Sequence, residues 1–344
     1  MLVPDALPRT LNVLVENEST LGPVFEIDPD RFAAAQARHA CVGDRIRVSF
    51  STDCDRFGSE IGNADVLIGW NFPYRELGDV APRLRWVHLT GAGVNHLAPF
   101  DWIPPGVVVT NNRGVHASKA EEFGALAALM IVNRVPRIVT QQGRQEWNLL
   151  YSPSIIGMTA GIVGVGNMGG AVASACKKLG MRVVGTRRGG APHPQVDRML
   201  GPGELDTLLA ESDVIFLCTP LTPETRGMIG HAQLSLMPKG AVVVNDARGP
   251  ILDLDALMTL MRDNHIAGAR LDVLPQEPPV EPIPELLRAY RNREPWLEGR
   301  LVVTPHSAWL TPESEYDTRR KSAETMRAAL LTNNPQNVIT PEMY

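Results

Sequence analysis

The feature that most constrains this chain is a glycine pattern between a short apolar run and a helical stretch. Gly164, Gly166 and Gly169 form GxGxxG, which overlaps a predicted strand over Ala160–Val165 and a predicted helix over Met168–Leu179. The first glycine permits a tight turn, the second lets the backbone approach a pyrophosphate, and the third lets the helix pack closely. Phosphate is favoured at a helix N-terminus by free N–H groups and the helix dipole. The pattern therefore predicts a dinucleotide site rather than a purely structural turn.

Short apolar segments alternate with helical patterns on both sides of this motif. Strands are predicted before it over Leu11–Val15, Arg45–Phe50, Asp65–Gly69, Arg85–Leu89 and Val107–Thr110, with a helix over Arg31–Arg38. From the motif onward, strands are predicted over Ala160–Val165, Arg182–Thr186, Asp213–Cys218, Ala241–Asn245, Ile266–Asp272 and Leu301–Thr304, with a further helix over Leu254–Arg262. This alternation is typical of α/β proteins with parallel sheets. The second run predicts a dinucleotide-binding domain of about six strands.

Two segments stand outside the alternation. A helical pattern over Ala117–Arg134 is ended or kinked by Pro136, and such a helix either bridges two domains or packs within one. Pro275–Glu298 holds six prolines and a mixed-charge stretch, which predict a long loop with one short helix over Glu285–Arg291. Long loops in compact domains are often functional, but a surface insertion is an equal alternative.

Composition excludes several classes of protein. The chain has 344 residues, of which 44% are hydrophobic and 21% charged, a balance typical of globular proteins with about two domains. The net charge of −5 provides no bulk basic field for nucleic acid or a membrane surface. The four cysteines show neither CxxC pairs nor zinc spacing, and the N-terminus lacks a signal-peptide pattern. We expect a cytoplasmic protein with reduced thiols and no metal site, nucleic-acid partner or membrane span.

The end of the strand after the glycine motif predicts which dinucleotide binds. NAD sites usually place a carboxylate there to bond the ribose hydroxyls. This chain has Thr186, Arg187 and Arg188 instead, with no carboxylate before Asp197. Guanidinium groups suit a 2′-phosphate because they form charge-assisted, forked hydrogen bonds. We predict NADP, with NADPH preferred over NADH; the alternative is a pair of solvated arginines in a turn.

Three charged side chains follow the ends of predicted strands. Arg248, Glu277 and His306 each lie in a turn bounded by proline or glycine. Because ligands of open α/β sheets bind at the carboxyl ends of strands, we expect the three to converge on one crevice. An imidazolium can donate a proton near neutral pH, and a neighbouring carboxylate favours that charged form. A guanidinium offsets negative charge on an oxygen, so the set suits an anionic ligand that exchanges a proton.

At this point the sequence resembles the D-isomer-specific 2-hydroxyacid dehydrogenases over nearly its whole length. The matching segments are GIVGVGNMG, CTPLTPETRGMIG, VVVNDARG, IAGARLDVLPQEP and VVTPHSAW. The resemblance implies two Rossmann-like, doubly wound parallel-sheet domains with the active site in the cleft between them. It places a flavodoxin-like substrate domain in residues 1–110 plus 310–344 and the dinucleotide-binding domain in residues 111–309. It also implies a homodimer.

The resemblance also implies roles for single residues. His306 is the expected general acid/base, Glu277 its hydrogen-bonded partner, and Arg248 the group that binds the carbonyl oxygen and carboxylate of the substrate. Further substrate contacts come from the backbone of the Thr90–Gly93 turn, at Gly91, Ala92 and Gly93. Asp272 resembles the residue that holds the nicotinamide carboxamide. The predicted cofactor-binding set is Gly164, Gly166, Asn167, Met168, Gly169, Thr186, Arg187, Arg188, Thr219, Pro220, Thr225, Ala247, Asp272 and His306.

The chain departs from the family pattern at a few positions. Asp246 stands where relatives mostly carry a small or apolar residue, and a buried carboxylate there needs a hydrogen-bond partner. Lys119 and His116 add charge near Arg113, and we expect them to be exposed rather than to touch substrate or phosphate. Formate-oxidising relatives carry Gln where this chain has Glu277, which argues against formate.

The sequence thus predicts an NADP-dependent reductase that converts a small 2-keto acid, of the glyoxylate or hydroxypyruvate type, to the D-2-hydroxy acid. Two alternatives stay open: a nucleotide-sensing scaffold or corepressor with this fold, and a dehydrogenase of a non-carboxylate anion such as phosphite. The substrate's own side chain is not readable. Candidate pocket walls are Trp70, Asn71, Phe72, Tyr74 and Trp309. The two Trp rings would favour a large or aromatic keto acid, but core packing explains them as easily.

Overall fold

A computed structural model describes residues 10–21, 26–309, 322–325, 332 and 335–340. The chain divides into two compact units. The first comprises Met1–Val115 and Thr311–Tyr344, and the second comprises His116–Leu310. Much of the 310–344 stretch that the sequence assigns to the substrate domain lies outside the described residues.

The first unit is built on a five-stranded parallel sheet in the order β2-β1-β3-β4-β5. Its strands are β1 (Leu11–Asn17), β2 (Ile46–Thr52), β3 (Val66–Gly69), β4 (Trp86–Leu89) and β5 (Val108–Asn111). Its helices are α1 (Pro29–Arg38), α2 (Ala40–Gly43), α3 (Phe57–Glu60) and α4 (Leu77–Val80). Strands β3 and β4 are buried along their whole length, as expected for a parallel sheet that is covered on both faces.

The second unit holds a seven-stranded parallel sheet in the order β12-β11-β10-β9-β6-β7-β8. Its strands are β6 (Thr159–Val163), β7 (Arg182–Thr186), β8 (Arg198–Leu200), β9 (Val214–Leu217), β10 (Ala241–Asn245), β11 (Ile266–Leu271) and β12 (Leu301–Val303). Its helices are α5 (Ala117–Val132), α6 (Val135–Gly143), α7 (Asn167–Lys178), α8 (Leu205–Glu211), α9 (His231–Leu236), α10 (Leu254–Arg262) and α11 (Glu285–Arg291). The predicted α/β class, with two doubly wound parallel sheets, is confirmed.

The second sheet has one strand more than the sequence predicts. The extra strand, β8, is three residues long and pairs only with β7 at the edge of the sheet. A strand this short offers almost no apolar alternation, so sequence periodicity does not detect it. Strand order reverses at β6, which pairs with β7 on one side and β9 on the other. Ligands of open α/β sheets bind outside the strand ends at such a reversal.

The predicted helix over Ala117–Arg134 is confirmed as α5, and a second helix that the sequence does not predict, α6, follows it. Helix α5 ends at Val132, Arg134 has a left-handed φ of 55°, and α6 begins with Pro136 in its first turn. The two axes are bent by 62°. A Cβ at Gly124 of α5 would lie 3.2 Å from Val172 of α7, so α5 packs within the second unit. Among the described residues no single helix is long and apolar enough to cross a membrane; only this bent pair reaches that length and composition.

The proline-rich segment Pro275–Glu298 is not simply a surface insertion. The predicted helix over Glu285–Arg291 is confirmed as α11, and Leu286 and Leu287 of that helix are buried in the core of the second unit. The indole of Trp296 packs on the same core and lies under the Arg262 guanidinium, 4.8 Å from the ring centroid. The second half of the segment is therefore part of the domain.

A fully buried histidine in the first unit makes stability depend on pH. The imidazole of His88 bonds through Nδ1 to Thr110 Oγ1 (2.8 Å) and through Nε2 to Ser322 Oγ (3.0 Å). Burial lowers the pKa of His88 to about 4, although a hydrogen bond with the Asn112 side chain acts in the opposite direction. The unfolded chain, with a histidine pKa of about 6.5, then binds more protons between these two values. The contribution of His88 to stability should fall by about 3 kcal/mol as pH falls through this window.

The difference between wild type and His88→Gln isolates this effect. Burial raises the pKa of Asp246 to about 6, which acts in the opposite direction over an overlapping pH range, but that contribution cancels in the difference. We expect the wild-type advantage in unfolding free energy, measured with urea, to shrink from pH 7 toward pH 4. A constant advantage would show that His88 is not held neutral in the folded protein.

Candidate active site

The glycine turn is held between the ends of two strands. Gly164 has a left-handed φ of 97°, and a Cβ there would lie 2.8 Å from the backbone nitrogen of Thr219. The N–H groups of Gly164 and Val165 donate to the carbonyl oxygen of Thr186 at 3.1 and 2.8 Å. The turn therefore ties the end of β7 to the loop after β9. Only glycine fits at this position, because both the backbone conformation and the close neighbour exclude a side chain.

The other two glycines differ in their surroundings. A Cβ at Gly169 would lie 2.2 Å from the Gly164 carbonyl oxygen, so the helix packs directly on the turn. A Cβ at Gly166 would meet nothing within 4 Å, which leaves room for a ligand beside the first turn of α7. No described side chain caps this helix. These features fit the pyrophosphate of a dinucleotide, which the N–H groups of Asn167 and Met168 would hold; the N–H of Gly166 donates to the Gly164 carbonyl oxygen at 3.0 Å.

The loop after β9 and the end of β7 carry the other predicted cofactor residues. Thr186 is buried, Arg187 is half-buried with Nη2 3.4 Å from the Pro192 carbonyl oxygen, and Arg188 is exposed. A hydrogen bond from Thr222, and more weakly the charge of Arg188, hold the pKa of Glu224 below its ordinary value. Arg188 therefore lies within electrostatic range of the loop after β9. That loop contains Thr219, Pro220 and Thr225, and it is closed by the Thr225 hydroxyl, which donates to the Pro220 carbonyl oxygen at 2.8 Å.

Two of the three predicted catalytic side chains are in direct contact. His306 Nδ1 lies 2.6 Å from Glu277 Oε2, and the N–H of Leu274 donates to Glu277 Oε1 at 2.7 Å. Both side chains are partly exposed. Burial acts to raise the pKa of Glu277, but these two hydrogen bonds and the charges of His306 and Arg248 outweigh it and lower the pKa. Glu277 is therefore an ionised hydrogen-bond acceptor near neutral pH.

The backbone of His306 is held in an unusual conformation. Its φ of 51° is rare for a residue other than glycine, and such strain persists only where the surroundings enforce it. The N–H of His306 donates to the carbonyl oxygens of Asp272 (2.8 Å) and Thr304 (3.0 Å). The buried carboxylate of Asp272 accepts from the N–H groups of Ser307 (3.1 Å) and Ala308 (3.0 Å). Asp272 thus anchors the turn that carries His306, and its contact with a nicotinamide carboxamide stays a prediction.

Arg248 reaches the same region through the loop after β10. The side chain of Asn245 closes this loop by donating to the Arg248 carbonyl oxygen (3.2 Å) and accepting from the Ala247 N–H (3.1 Å). A Cβ at Gly249 would lie 1.9 Å from the carbonyl carbon of Leu274, so this loop packs directly on the one that leads to Glu277. Sequence reasoning missed Asn245 and Gly249. Both could have been identified from the NDARG segment, in which one precedes and the other follows Arg248.

The predicted carboxylate-binding turn lies in the first unit, after β4. The side chain of Asn111, which sequence reasoning missed, donates to the Ala92 carbonyl oxygen at 2.7 Å. A Cβ at Gly91 would lie 2.0 Å from the Trp70 ring, so glycine is required beneath this indole. Within the described part of the chain, the N–H groups of Gly91, Ala92 and Gly93 donate to no acceptor. Successive N–H groups of this kind suit an anion.

Several other predictions about single residues need correction or refinement. Lys119 is partly buried rather than exposed, because its ammonium pairs with Glu122 at 2.6 Å and lies over the Phe123 ring. His116 is also partly buried.

Of the candidate pocket walls, Phe72 and Tyr74 pack on Trp102 in the core of the first unit. Core packing is therefore the explanation for these two side chains.

Comparison with known proteins agrees with this geometry. The sequence profile of the D-isomer specific 2-hydroxyacid dehydrogenase, NAD binding domain, matches residues 125–308. The glyoxylate reductase of Aeropyrum pernix is 32% identical over 276 residues, which cover 76% of this chain and 78% of that protein. The glyoxylate reductase of Korarchaeum cryptofilum is 32% identical over 283 residues, covering 78% of this chain and 80% of that protein.

A solved structure resembles the chain over almost its full length. The D-isomer specific 2-hydroxyacid dehydrogenase from Xanthobacter autotrophicus Py2, in complex with NADPH and MES, has a TM-score of 0.79 and 26% identity, covering 97% of this chain and 99% of that one. The family profile spans more than half of the sequence, and it includes the glycine turn and all three charged residues at the strand ends. This chain is a nicotinamide-dependent oxidoreductase and belongs to the D-isomer specific 2-hydroxyacid dehydrogenase family.

Proposed function

We propose that this protein reduces a small 2-keto acid, of the glyoxylate or hydroxypyruvate type, to the D-2-hydroxy acid with NADPH as the preferred cofactor. The observation that carries the proposal is the hydrogen bond between His306 Nδ1 and Glu277 Oε2, within electrostatic range of Arg248. The bound nicotinamide supplies the hydride for the keto carbon. The side chains of the protein supply the proton and the binding of the anion.

His306 is proposed as the proton donor. Glu277 accepts a hydrogen bond from Nδ1 and orients the ring, so that Nε2 can give a proton to the carbonyl oxygen as the hydroxyl forms. The lowered pKa of Glu277 keeps this partner ionised while the imidazole changes charge. In the reverse direction the neutral imidazole accepts the proton of the hydroxyl.

Arg248 is proposed as the group that binds the substrate. A guanidinium can pair with a carboxylate through two parallel hydrogen bonds, and it also offsets the negative charge that develops on the carbonyl oxygen. We propose the N–H groups of Gly91, Ala92 and Gly93 as further donors to the substrate carboxylate. Their lack of acceptors among the described residues supports this role.

The preference for NADPH is proposed from the end of β7. Arg187 and Arg188 follow Thr186, where a carboxylate would bind the ribose hydroxyls of NAD. Two guanidinium groups at this place favour a 2′-phosphate. The relative from Xanthobacter autotrophicus was solved with NADPH, which supports the same choice here.

A panel of 2-keto acids tests the proposed reaction. The purified protein is mixed with each acid and either NADPH or NADH, and the loss of reduced-nicotinamide absorbance is followed. We expect turnover with glyoxylate or hydroxypyruvate, at a higher kcat/KM with NADPH. Binding of NADPH without oxidation by any keto acid would contradict the proposal and support a nucleotide-sensing scaffold. Reduction of NADP by phosphite alone would support the other alternative.

We also propose that the protein is a homodimer. Helix α6 and the segment after it expose large apolar side chains, among them Trp147, Leu149, Tyr151 and Ile156, with Trp147 96% exposed. Exposed apolar side chains in such number along one segment are typical of a surface that a protein partner covers. Sedimentation velocity should give the mass of a dimer, and a monomer mass at all concentrations would contradict the proposal.

The cytoplasmic location expected from the sequence stays a prediction.

A further inference from the structure

A buried ion pair in the second unit has no role in the functions proposed so far. The side chains of Arg270 in β11 and Asp246 after β10 are only 1% and 2% exposed. Arg270 Nη1 donates to Asp246 Oδ1, and its guanidinium carbon lies 5.1 Å from the centre of the Phe123 ring. Burying two charges costs free energy that their attraction does not always recover, and apolar residues of similar volume often serve stability as well. Stability alone therefore gives little reason for the pair.

The contacts of the other terminal nitrogen of Arg270, Nη2, indicate the role of the ion pair. Arg270 Nη2 donates to Thr304 Oγ1 at 3.1 Å and lies 3.6 Å from Asp272 Oδ1. The Thr304 hydroxyl in turn donates to Asp272 Oδ1 at 2.5 Å. Arg270 thus contacts the two side chains that fix the turn of residues 304–308, one at its start and one that binds its end. His306 lies between these two fixed points.

His306 has a strained backbone, and neighbouring groups must hold it in that conformation. The left-handed φ of His306 is unfavourable for a residue with a Cβ, so the turn keeps this conformation only if its neighbours hold it. The Asp272 carboxylate does so through the N–H groups of Ser307 and Ala308. Arg270 limits the movement of Thr304 through a charge-assisted hydrogen bond, which is stronger than a neutral one, and it attracts the Asp272 carboxylate as an ion pair.

We propose that Arg270, with Asp246 as its counter-charge, is a positioning residue that holds the 304–308 turn so that His306 keeps its hydrogen bond to Glu277. The inference rests on the proposed role of His306 as proton donor. The pair touches neither the imidazole nor Glu277 directly and acts through Thr304 and Asp272.

Two substitutions at Thr304 test the first step of this chain. Thr304→Val removes the hydroxyl at nearly constant shape, whereas Thr304→Ser keeps it. We expect Thr304→Val to lower kcat by about 10- to 100-fold, because a small misplacement of a reacting group is enough for such a loss. The KM for the keto acid and the Kd for NADPH should change little, and Thr304→Ser should stay near wild type.

The ion pair itself is tested by replacing both partners together. Arg270→Met alone leaves the buried Asp246 carboxylate uncompensated, which is strongly destabilising. The double variant Asp246→Leu/Arg270→Met removes both charges and keeps an apolar volume. We expect it to unfold in urea at about the wild-type midpoint and still to lose kcat to a similar extent as Thr304→Val. A purely structural pair would instead change the midpoint and leave kcat intact.

A spectroscopic measurement reports on position without turnover. The Nδ1–H proton of His306, bonded to Glu277, should give a downfield NMR signal that disappears in His306→Gln. We expect this signal to be lost or broadened in Thr304→Val and in the double variant, and retained in Thr304→Ser. A folded double variant with wild-type kcat and an unchanged signal would overturn the inference. Wild-type turnover in His306→Ala would instead refute the proposed function, while the NMR signal would still test the positioning.

Discussion

Replacing His306 with alanine is expected to lower kcat for the keto acid by about 10²- to 10⁴-fold, the usual contribution of a general acid. Without the imidazole, no positioned group delivers the proton to the carbonyl oxygen as the hydroxyl forms. The loss should appear in steady-state rates measured with saturating glyoxylate and NADPH. The Kd for NADPH, followed by nucleotide fluorescence, should stay within a few-fold of wild type, because the glycine turn and the arginines after β7 are untouched.

His231→Ala provides a matched control for this experiment. His231 is exposed at the start of α9 and bonds only locally in the described structure, to Ser235 on the next turn. This variant should keep the wild-type rate. If His306→Ala turned over as fast as the control, His306 would not be the proton donor.

The double variant Arg187→Ala/Arg188→Ala should weaken NADPH binding by about 10²-fold and change NADH binding little. A charge-assisted hydrogen bond contributes about 1.5–3 kcal/mol, and about 1.4 kcal/mol is a tenfold change in affinity. NADH lacks the 2′-phosphate, so its affinity does not depend on these bonds. The measurement is the ratio of kcat/KM values for the two cofactors, together with each Kd.

A second pair of arginines controls for the change in net charge. Arg182 begins β7 and Arg198 begins β8. Both guanidinium groups form ion pairs with the partly exposed carboxylate of Glu211, at 3.1 and 2.6 Å. Arg182→Ala/Arg198→Ala removes the same charge from neighbouring strands and should leave the cofactor ratio unchanged. If the Arg187/Arg188 variant also kept the wild-type ratio, the predicted NADPH preference would be wrong.

Local signals were enough to predict every strand of the two sheets except β8, and to place the charged residues after strand ends. Continuous apolar runs such as Ala241–Asn245 indicate buried parallel strands, because both faces of such a sheet are covered. Glycine spacing before α7 indicates a turn that only glycine can form, and the φ of Gly164 agrees. Since parallel strands end at one edge of a sheet, residues such as Glu277 and His306 could be expected to meet, and the structure brings them together.

Elements with weak local signals were missed. Helix α6 follows a break that was interpreted as the end of the α5 pattern, because a proline terminates a helix but also favours the first turn of the next. Strand β8 exists through its pairing with β7 rather than through any apolar alternation of its own.

What the sequence by itself determined is the chemistry available: a glycine turn for a dinucleotide, a proton donor, an ionised partner and a cation for an anionic substrate. The arrangement that makes this chemistry possible depends on contacts between residues far apart in the chain. Arg270 and Asp246 are 24 positions apart and Thr304 is 34 from Arg270, yet they share one buried cluster. Side-chain hydrogen bonds of this kind arise only once the strands have paired, so no local pattern of residue types encodes them.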